Sequence, residues 1–582
     1  MEKLREQLKK QVRELFGVEV EPDLTVAPEG TGADFASNVA MRLAGQLGRP
    51  PREVAEEIAA SLEGLQVEVA GPGFLNFMLP DEYFLEKVNN FGDFGAEFGK
   101  NISQGEYFGK TVICEFSDPN PFKVLHVGHL YTSVVGDAIS RLFEFAGAKV
   151  VRANFGGDVG LHVAKTLWAL EKKSVEDLTI EDIAECYVEG TNAYEESQEA
   201  HEEITALNKQ IYEIVRDHVD DTRLAKLYWQ GRELSYKYFK KFYARIGLKF
   251  DVYYPESQTA GRGLDVVREH MDVYEESDGA VVFKGEPYGL HTRVFINKEG
   301  LPTYEAKDVG LLFTKWDDYH FDKSVVITGN DIIDYMKVVL KSVSMYAPEL
   351  TERTVHLTHG NVRLPGNEKM SSRKGNFIRA VDILDRVAEV LKESYDSEDE
   401  KVALGAIKYA FLKYKVGGNI EFSVDESVSM TGNSGPYLQY SAVRAKKVVS
   451  AVFGSDRSSS GRVGSAHRHG RAALNLALPR SGCPAEEGPS QKSPYELSSH
   501  ERKLVKKMAG YTEVLVEALN EMAPHKICAY LYELAQEFSR FYENVKVVGS
   551  EYEAERGEMV QNYLKILTHG LGLLGIEVPE KM

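Results

Sequence analysis

Residues Asp118–Asp137 read DPNPFKVLHVGHLYTSVVGD. The apolar run just before them, Thr111 to Phe116 (TVICEF), has the pattern of a strand buried in a parallel sheet. After them, apolar residues return at helical spacing at Val134, Val135, Ala138, Leu142 and Phe143. A strand therefore runs into a loop and the loop into a helix, with His126 and His129 at the turn. Such a turn aims backbone N–H groups and two imidazoles at one point, a common way to hold a phosphate.

Working outward, residues 106 to about 170 alternate strand, helix, strand. Val150, Val151 and Arg152 begin the second strand, which ends in NFGGDVG (Asn154–Gly160). A glycine-rich turn at the carboxyl end of a strand is where open α/β sheets bind ligands. Residues 175–245 are polar, helical and acid-rich in places (EESQEAHEE), as expected of a helical bundle inserted on the sheet. Strand character returns at Lys249–Tyr254, ending at Pro255-Glu256-Ser257. Gly279–Lys284 and Thr292–Asn297 read as a hairpin-like pair. Ser324–Thr328 reads as a further buried strand, capped by Gly329-Asn330-Asp331. From about 385 the pattern turns helical, with helices expected near 387–395, 400–414, 435–452, 499–522, 524–542 and 560–574. A run of helices after an alternating section implies a separate helical domain.

Before the first strand, residues 1 to about 105 read as a small α/β unit. A helix over Lys3–Phe16 precedes two more, broken at Gly48–Pro51 by the two prolines. Val67–Val69 and the AGPGFLNFML stretch read as strands. The unit carries neither paired carboxylates nor clustered histidines, so it is a binding or structural module.

The totals agree with several domains. The 582 residues exceed what one core holds, and the composition, 43% hydrophobic and 27% charged, is that of a globular protein. No apolar run approaches the ~18 residues that cross a membrane, and the amphipathic start with its glutamates resembles no targeting peptide. Cys114, Cys186, Cys483 and Cys528 are scattered singly, which suggests neither a disulfide framework nor a metal site and fits a reducing, cytoplasmic setting. The net charge of −20 argues against bulk binding to nucleic acid unless the bases are confined to one face. One segment breaks the texture. Residues 455–494 are rich in Ser, Gly, Arg and Pro, and three readings stand open: a disordered loop, a basic loop contacting nucleic acid, or a local sequence error.

Two motifs carry the chemistry. His126 and His129 flank Gly128, which lets a ligand approach the backbone, at a helix start that favours anions. Imidazole N–H groups there can donate to a phosphate gaining charge in a transition state. About 240 residues later, Lys369–Asn376 (KMSSRKGN) puts Lys369, Arg373 and Lys374 in one short loop. Such a loop is either an exposed basic turn or a flap that closes on a polyphosphate.

Together, HVGH and KMSSRKG resemble the two signature motifs of the class I aminoacyl-tRNA synthetases. Ser372 stands where the second motif usually carries a lysine, leaving Lys374 or Lys123 to supply that charge. Along nearly its whole length the chain resembles the arginyl-tRNA synthetase family, through AGPGFLNF, EFSDPN, NFGGDVG, GNSGPYLQYSAVRAK, AYLYELAQEFSRFYENVKVV and the closing LLGIEVPEKM. Asp118 replaces a more usual small residue, and Val159 a frequent tryptophan.

The resemblance implies an α/β fold: a Rossmann-like parallel-sheet catalytic domain (106–384) with a helical insertion at about 175–245, a small N-terminal α/β domain (1–105) touching the tRNA elbow, and an all-α C-terminal anticodon-binding domain (385–582). It implies ATP-dependent attachment of L-arginine to tRNA(Arg) through an arginyl-adenylate, with Mg²⁺ accompanying ATP, no resident metal, and a monomer as the working form. His126, His129, Lys369 and Lys374 are then the catalytic candidates. ATP falls to His126, Gly128, His129, Lys369, Met370 and Ser371. A planar guanidinium with five donors needs carboxylates and a hydroxyl in its plane. Tyr304 and Asp308, at i, i+4, and Glu256 match the family's guanidinium contacts, with Glu115 nearby, and Asn120 matches its α-amino ligand. Tyr530, Arg540 and Tyr542 are the tRNA-binding candidates, aromatics and a cation suited to splayed bases and phosphates. Two other readings compete: an RNA-binding paralogue that has lost activation, and a nucleotidylyltransferase sharing the histidine loop, for which the helical C-terminal region has no use.

Overall fold

The computed structural model describes residues 2–28, 30–62, 64–92, 94–173, 177–363, 378–454 and 495–582. Cα proximity groups the chain into two compact units, one of residues 1–91 with 496–509, the other of 92–495 with 510–582.

Among the described residues, the larger unit is built on a five-stranded parallel sheet. Its strands are β1 (Thr111–Glu115), β2 (Lys149–Gly156), β3 (Val252–Pro255), β4 (Lys323–Gly329) and β5 (Thr354–His359), in the order β5-β4-β1-β2-β3. β1 lies in the middle, with β2 and β3 laid to one side and β4 and β5 to the other. The chain changes direction between β1 and β4, so a crevice opens beyond the carboxyl ends of these strands, where doubly wound sheets bind ligands. The buried centre of β1 (Val112, Ile113, Cys114) explains its unbroken apolar sequence.

Three helices face this crevice or its floor: α1 (Val127–Phe145), α2 (Glu256–Glu269) and α3 (Tyr304–Tyr319). α1 is buried on most faces, with Leu130, Val135 and Ile139 fully enclosed. Each such side chain contributes roughly 1.5–3 kcal/mol of burial, enough to hold the helix that starts at the histidines rigid. α2 and α3 pack so closely that a Cβ on Gly263 or Gly310 would strike the other's backbone. The inserted bundle (Leu161–Lys172, Ile180–Glu196, Gln198–Asp217, Arg223–Arg245) has its own apolar cluster, and Phe122 from the histidine loop sits in it. The expected hairpin pair forms as Ala280–Phe283 against Arg293–Ile296, antiparallel.

The helices after Ala380 follow the expected pattern with one correction. A single helix was expected over Ser499–Met522, but Ser499–Ala509 and Tyr511–Asn520 are separate, broken at Gly510, the residue that least favours a helix after proline. By Cα proximity the first of the two groups with the smaller unit. Ion pairs help to hold it there, with Leu504, Val505 and Met508 buried on the same helix. Arg502 grips the buried carboxylate of Asp34 with both terminal nitrogens at 3.0 Å, donates to Leu79 O at 2.8 Å and pairs with Asp81 at 2.6 Å.

The smaller unit has a four-stranded antiparallel sheet in the order Thr25–Val26, Phe35–Ser37, Phe74–Met78, Gln66–Ala70. Its Gly-Pro-Gly turn ends at Gly73, where φ is +139° and a Cβ would lie 2.8 Å from Pro51 O, so only glycine fits.

Candidate active site

β1 ends at Glu115, and the chain turns sharply. Ser117 (φ +75°) and Asp118 (φ +43°) both adopt the left-handed conformation that L-residues seldom hold. Side chains lock the turn. Ser117 Oγ lies 2.8 Å from the buried Tyr243 hydroxyl, Asp118 Oδ1 accepts the Phe155 N–H at 2.8 Å, and Asn120 Oδ1 accepts the Gly157 N–H at 2.8 Å. Gly157 is needed there: a Cβ would lie 2.7 Å from Asn120 Oδ1 and 3.1 Å from Glu256 Oε1. Phe122, again left-handed at +65°, plugs the loop into the inserted bundle, its N–H donating to Ser235 Oγ at 3.0 Å.

The histidines come next, and hydrogen bonding fixes their chemistry. His126 is the N-cap of α1, and its Nδ1 accepts the Gly128 N–H at 3.0 Å. His129 Nδ1 accepts the His126 backbone N–H at 3.2 Å, completing a reciprocal cap in which imidazoles replace the usual hydroxyl and carboxylate. An accepting Nδ1 carries no proton, so the neutral ring has its N–H at Nε2. Both rings stay neutral. Burial in the cleft, with the Lys123 charge, lowers His126 to about 4. Burial, His126 and Lys123 hold His129 well below the ordinary histidine range. The ring centroids lie 3.9 Å apart. The turn therefore presents two neutral Nε2–H donors at a helix N-terminus.

Lys369, Met370, Ser371 and Lys374 lie outside the described residues, as does segment 455–494. The chain is described again from Ile378, and there it is tied to the histidine turn. Val127 N–H donates to Ile378 O at 3.2 Å, Ala380 N–H donates to Leu125 O at 2.9 Å, and His126 bridges Arg379. The described chain at Ile378–Ala380 is thus anchored on the histidines' own backbone.

The candidate arginine ligands divide into two kinds. Glu115 and Glu256 are buried, and each already holds a lysine, Lys315 and Lys307 respectively, the latter at 2.6 Å. Although burial works against it, Glu256 keeps Lys307 charged well beyond the ordinary lysine range. Asp308 has no hydrogen-bond or ion-pair partner among the described residues. Burial and the charges on Glu115 and Glu256 push its carboxyl well above the ordinary range. Tyr304, one turn earlier on α3, is 61% exposed and lies under the Lys307 ammonium, 5.2 Å from its ring centre. Asp158 of NFGGDVG orders the neighbourhood. It caps α2 by accepting Ser257 N–H at 2.9 Å and Ser257 Oγ–H at 2.7 Å, and it pairs with Arg232 of the inserted bundle at 2.8 Å.

Lys307, Lys315, Asp158 and Asp118 were not singled out from the sequence as members of the site. Lys307 lies beside Asp308 in TYEAKDVG and was open to notice, but its partner is 51 positions away. Among the described residues, no group of three or more His, Cys, Asp or Glu is placed to hold a metal.

Of the three tRNA-binding candidates, Tyr530 is corrected. It is 4% exposed and stacked on Tyr511, with ring centres 5.3 Å apart, so it belongs to the core. Tyr542 is 42% exposed under the Arg444 guanidinium, which lies 4.5 Å from its ring centre. Arg540 is exposed and paired with Glu537. Tyr440, 41% exposed and also beside Arg444, joins Tyr542 on this face, though the sequence had not marked it.

Comparison with known proteins agrees across the chain. The family model of the catalytic domain of the class I (R) tRNA synthetases matches residues 96–424, that of the arginyl-tRNA synthetase N-terminal domain 2–79, and that of the DALR anticodon-binding domain 483–582. Arginine–tRNA ligases of Clostridium perfringens (27% identical, covering 97% of this chain and 96% of the relative) and Fusobacterium nucleatum (28%, covering 98% of each) are among its relatives. The fold is shared with the arginyl-tRNA synthetases of Thermus thermophilus (TM-score 0.74, 23% identity, full coverage of both chains) and Plasmodium falciparum (TM-score 0.73, 18% identity, covering 100% of this chain and 99% of the other). With the class I (R) catalytic model matching more than half of its residues, the chain belongs to the arginyl-tRNA synthetases of class I.

Proposed function

We propose that this chain attaches L-arginine to tRNA(Arg) at the expense of ATP, through an arginyl-adenylate, with the histidine turn and the acids beyond β1 as its reaction centre. One observation carries the site assignment. The turn that presents two neutral Nε2–H donors follows within six residues the turn that carries Asn120, and Asp118 of that turn feels the charge of Asp308.

In the first step the arginine carboxylate oxygen attacks the α-phosphorus of ATP, and the bond to the bridging oxygen of the β-phosphate breaks, releasing pyrophosphate. Charge grows on the phosphoryl oxygens and the leaving group. Neutral N–H donors fixed by backbone hydrogen bonds stabilise that charge without moving, which is electrostatic preorganisation. Lys369, with Lys374 or Lys123, is assigned the positive charge for the leaving group, and Met370 and Ser371 are assigned, with Gly128, to ATP binding. Mg²⁺ travels with ATP as its counter-ion. In the second step the terminal 2′-hydroxyl of tRNA attacks the acyl carbon and AMP departs. Asp308, the Tyr304 hydroxyl and the Glu256–Lys307 pair surround the guanidinium, Glu115 supports them, and Asn120 takes part of the α-ammonium. The smaller unit touches the tRNA elbow. The helices after 385 read the anticodon, Tyr542 and Arg540 among their contacts. Among the described residues no helix is long and apolar enough to cross a membrane. The working form is a cytoplasmic monomer.

The test is pyrophosphate exchange into ATP. Exchange that requires both arginine and tRNA supports the reading. Folded protein that shows none refutes it.

A further inference from the structure

Charge bookkeeping at the carboxyl end of the sheet leaves a remainder. Glu115 and Glu256 are each matched by a buried lysine. Asp308 is unmatched, and so is Asp118. Asp118 Oδ1 accepts one backbone N–H, while its second oxygen has no hydrogen-bond or ion-pair partner among the described residues. L-Arginine brings two cations, the guanidinium and the α-ammonium, to a site with two unmatched carboxylates.

Geometry says which acid meets which cation. Asp118 and Asn120 are two residues apart, and they are held by Phe155 and Gly157, also two apart, at the end of β2. The two side chains therefore stand side by side over that strand end, eight and six residues before His126 and the phosphate donors. Asp308 belongs to α3, with Tyr304 and the Lys307–Glu256 pair. Resting on the arginine reading above, we propose that Asp118 is a specificity-determining residue for the substrate's α-ammonium, shared with Asn120, while Asp308 takes the guanidinium. The α-ammonium lies one carbon from the carboxylate that attacks ATP. An acid that holds it beside the histidine turn also sets the nucleophile's position. The surroundings agree. Burial and the negative charges on Glu115 and Asp308 hold the Asp118 carboxyl well above its ordinary range, so a cation there relieves an existing repulsion. The left-handed backbone at Asp118 is held by the same hydrogen bond that aligns the side chain.

The test separates charge from turn geometry. D118N keeps an oxygen to accept the Phe155 N–H and loses the charge. In the full-length chain, arginine KM for tRNA charging is compared with the inhibition constant of 5-guanidinopentanoate, which is arginine without its amino group. D118N raises arginine KM by about tenfold to a hundredfold, the loss of one charge-assisted hydrogen bond, and leaves the inhibition constant of the deamino analogue within twofold. D308N raises both constants, because both molecules carry the guanidinium. Equal weakening of both ligands by D118N makes Asp118 a turn residue only and overturns the proposal, as does an unchanged arginine KM. A wild-type chain that charges no arginine overturns the underlying reading instead.

Discussion

His126→Asn separates the two tasks of one side chain. As N-cap, His126 accepts the Gly128 N–H at 3.0 Å, and in the proposed catalytic role it offers Nε2–H. Asparagine is among the best N-caps, so its side-chain oxygen can replace Nδ1 in the first task. It is too short to place a donor where Nε2–H stands. His126→Ala loses both, and removal of a cap costs about 1 kcal/mol. Removing one fixed donor to a developing oxyanion costs about 3–4 kcal/mol of transition-state stabilisation, roughly a hundredfold to a thousandfold in rate. His126→Asn should therefore melt within about 0.5 kcal/mol of wild type, yet form adenylate roughly a hundredfold more slowly or worse. His126→Ala should share the kinetic loss and add the instability. The assay is pyrophosphate exchange at saturating arginine and tRNA, with thermal unfolding of the same samples. A His126→Asn variant within a few-fold of wild-type exchange would refute the donor role. The pH profile follows from the same environment. A base whose folded pKa lies near 4 is neutral across pH 6–9, so His126 should give the exchange rate no limb near 6.5. Its linked stability is fully present above about 6.5, the unfolded value, and is lost as the pH falls toward about 4.

Other consequences are independent. As the proposed guanidinium ligand, Asp308 attracts the substrate only when ionised, and its carboxyl is held well above the ordinary range, so arginine KM in wild type should rise on acidification at a higher pH than an ordinary carboxylate would give. D308N should show a higher and flatter KM, and a wild-type KM that does not move with pH would contradict this. Arg502→Ala leaves the buried Asp34 carboxylate with Lys506 as its one remaining cation among the described residues, beside the Leu79 N–H, and should destabilise the smaller unit by about 2 kcal/mol, read as an earlier thermal transition. An unshifted transition would show that the grip contributes little. Tyr542→Ala should raise tRNA KM about tenfold, the scale of one stacked base, without changing arginine KM. Tyr530→Phe should leave tRNA KM alone, since that ring is buried. Equal effects of the two substitutions would undo the distinction.

Much of this was legible in the sequence because it is local. TVICEF, the histidine turn and the apolar spacing of α1 are each written within twenty residues, and they form as read. The two helices at Gly48–Pro51 and the hairpin at 280–296 are likewise local. What escaped depends on contacts between distant residues. Glu115 meets Lys315 across 200 positions, and Arg502 meets Asp34 across 468, so no window of sequence discloses either pair. Tyr530 and Tyr542 occur in one aromatic run, and only packing distinguishes the core ring from the exposed one. The tautomers of His126 and His129 needed the cap geometry, since spacing shows only that two imidazoles are close.

The proposed site activates arginine and transfers it to tRNA. The most direct measurement is charging of total tRNA with each of the twenty amino acids in turn, in the presence of ATP and Mg²⁺. Attachment of arginine alone, slowed roughly a hundredfold or more by His126→Ala, is the predicted result. Charging with another amino acid, or none by folded protein, would contradict that role.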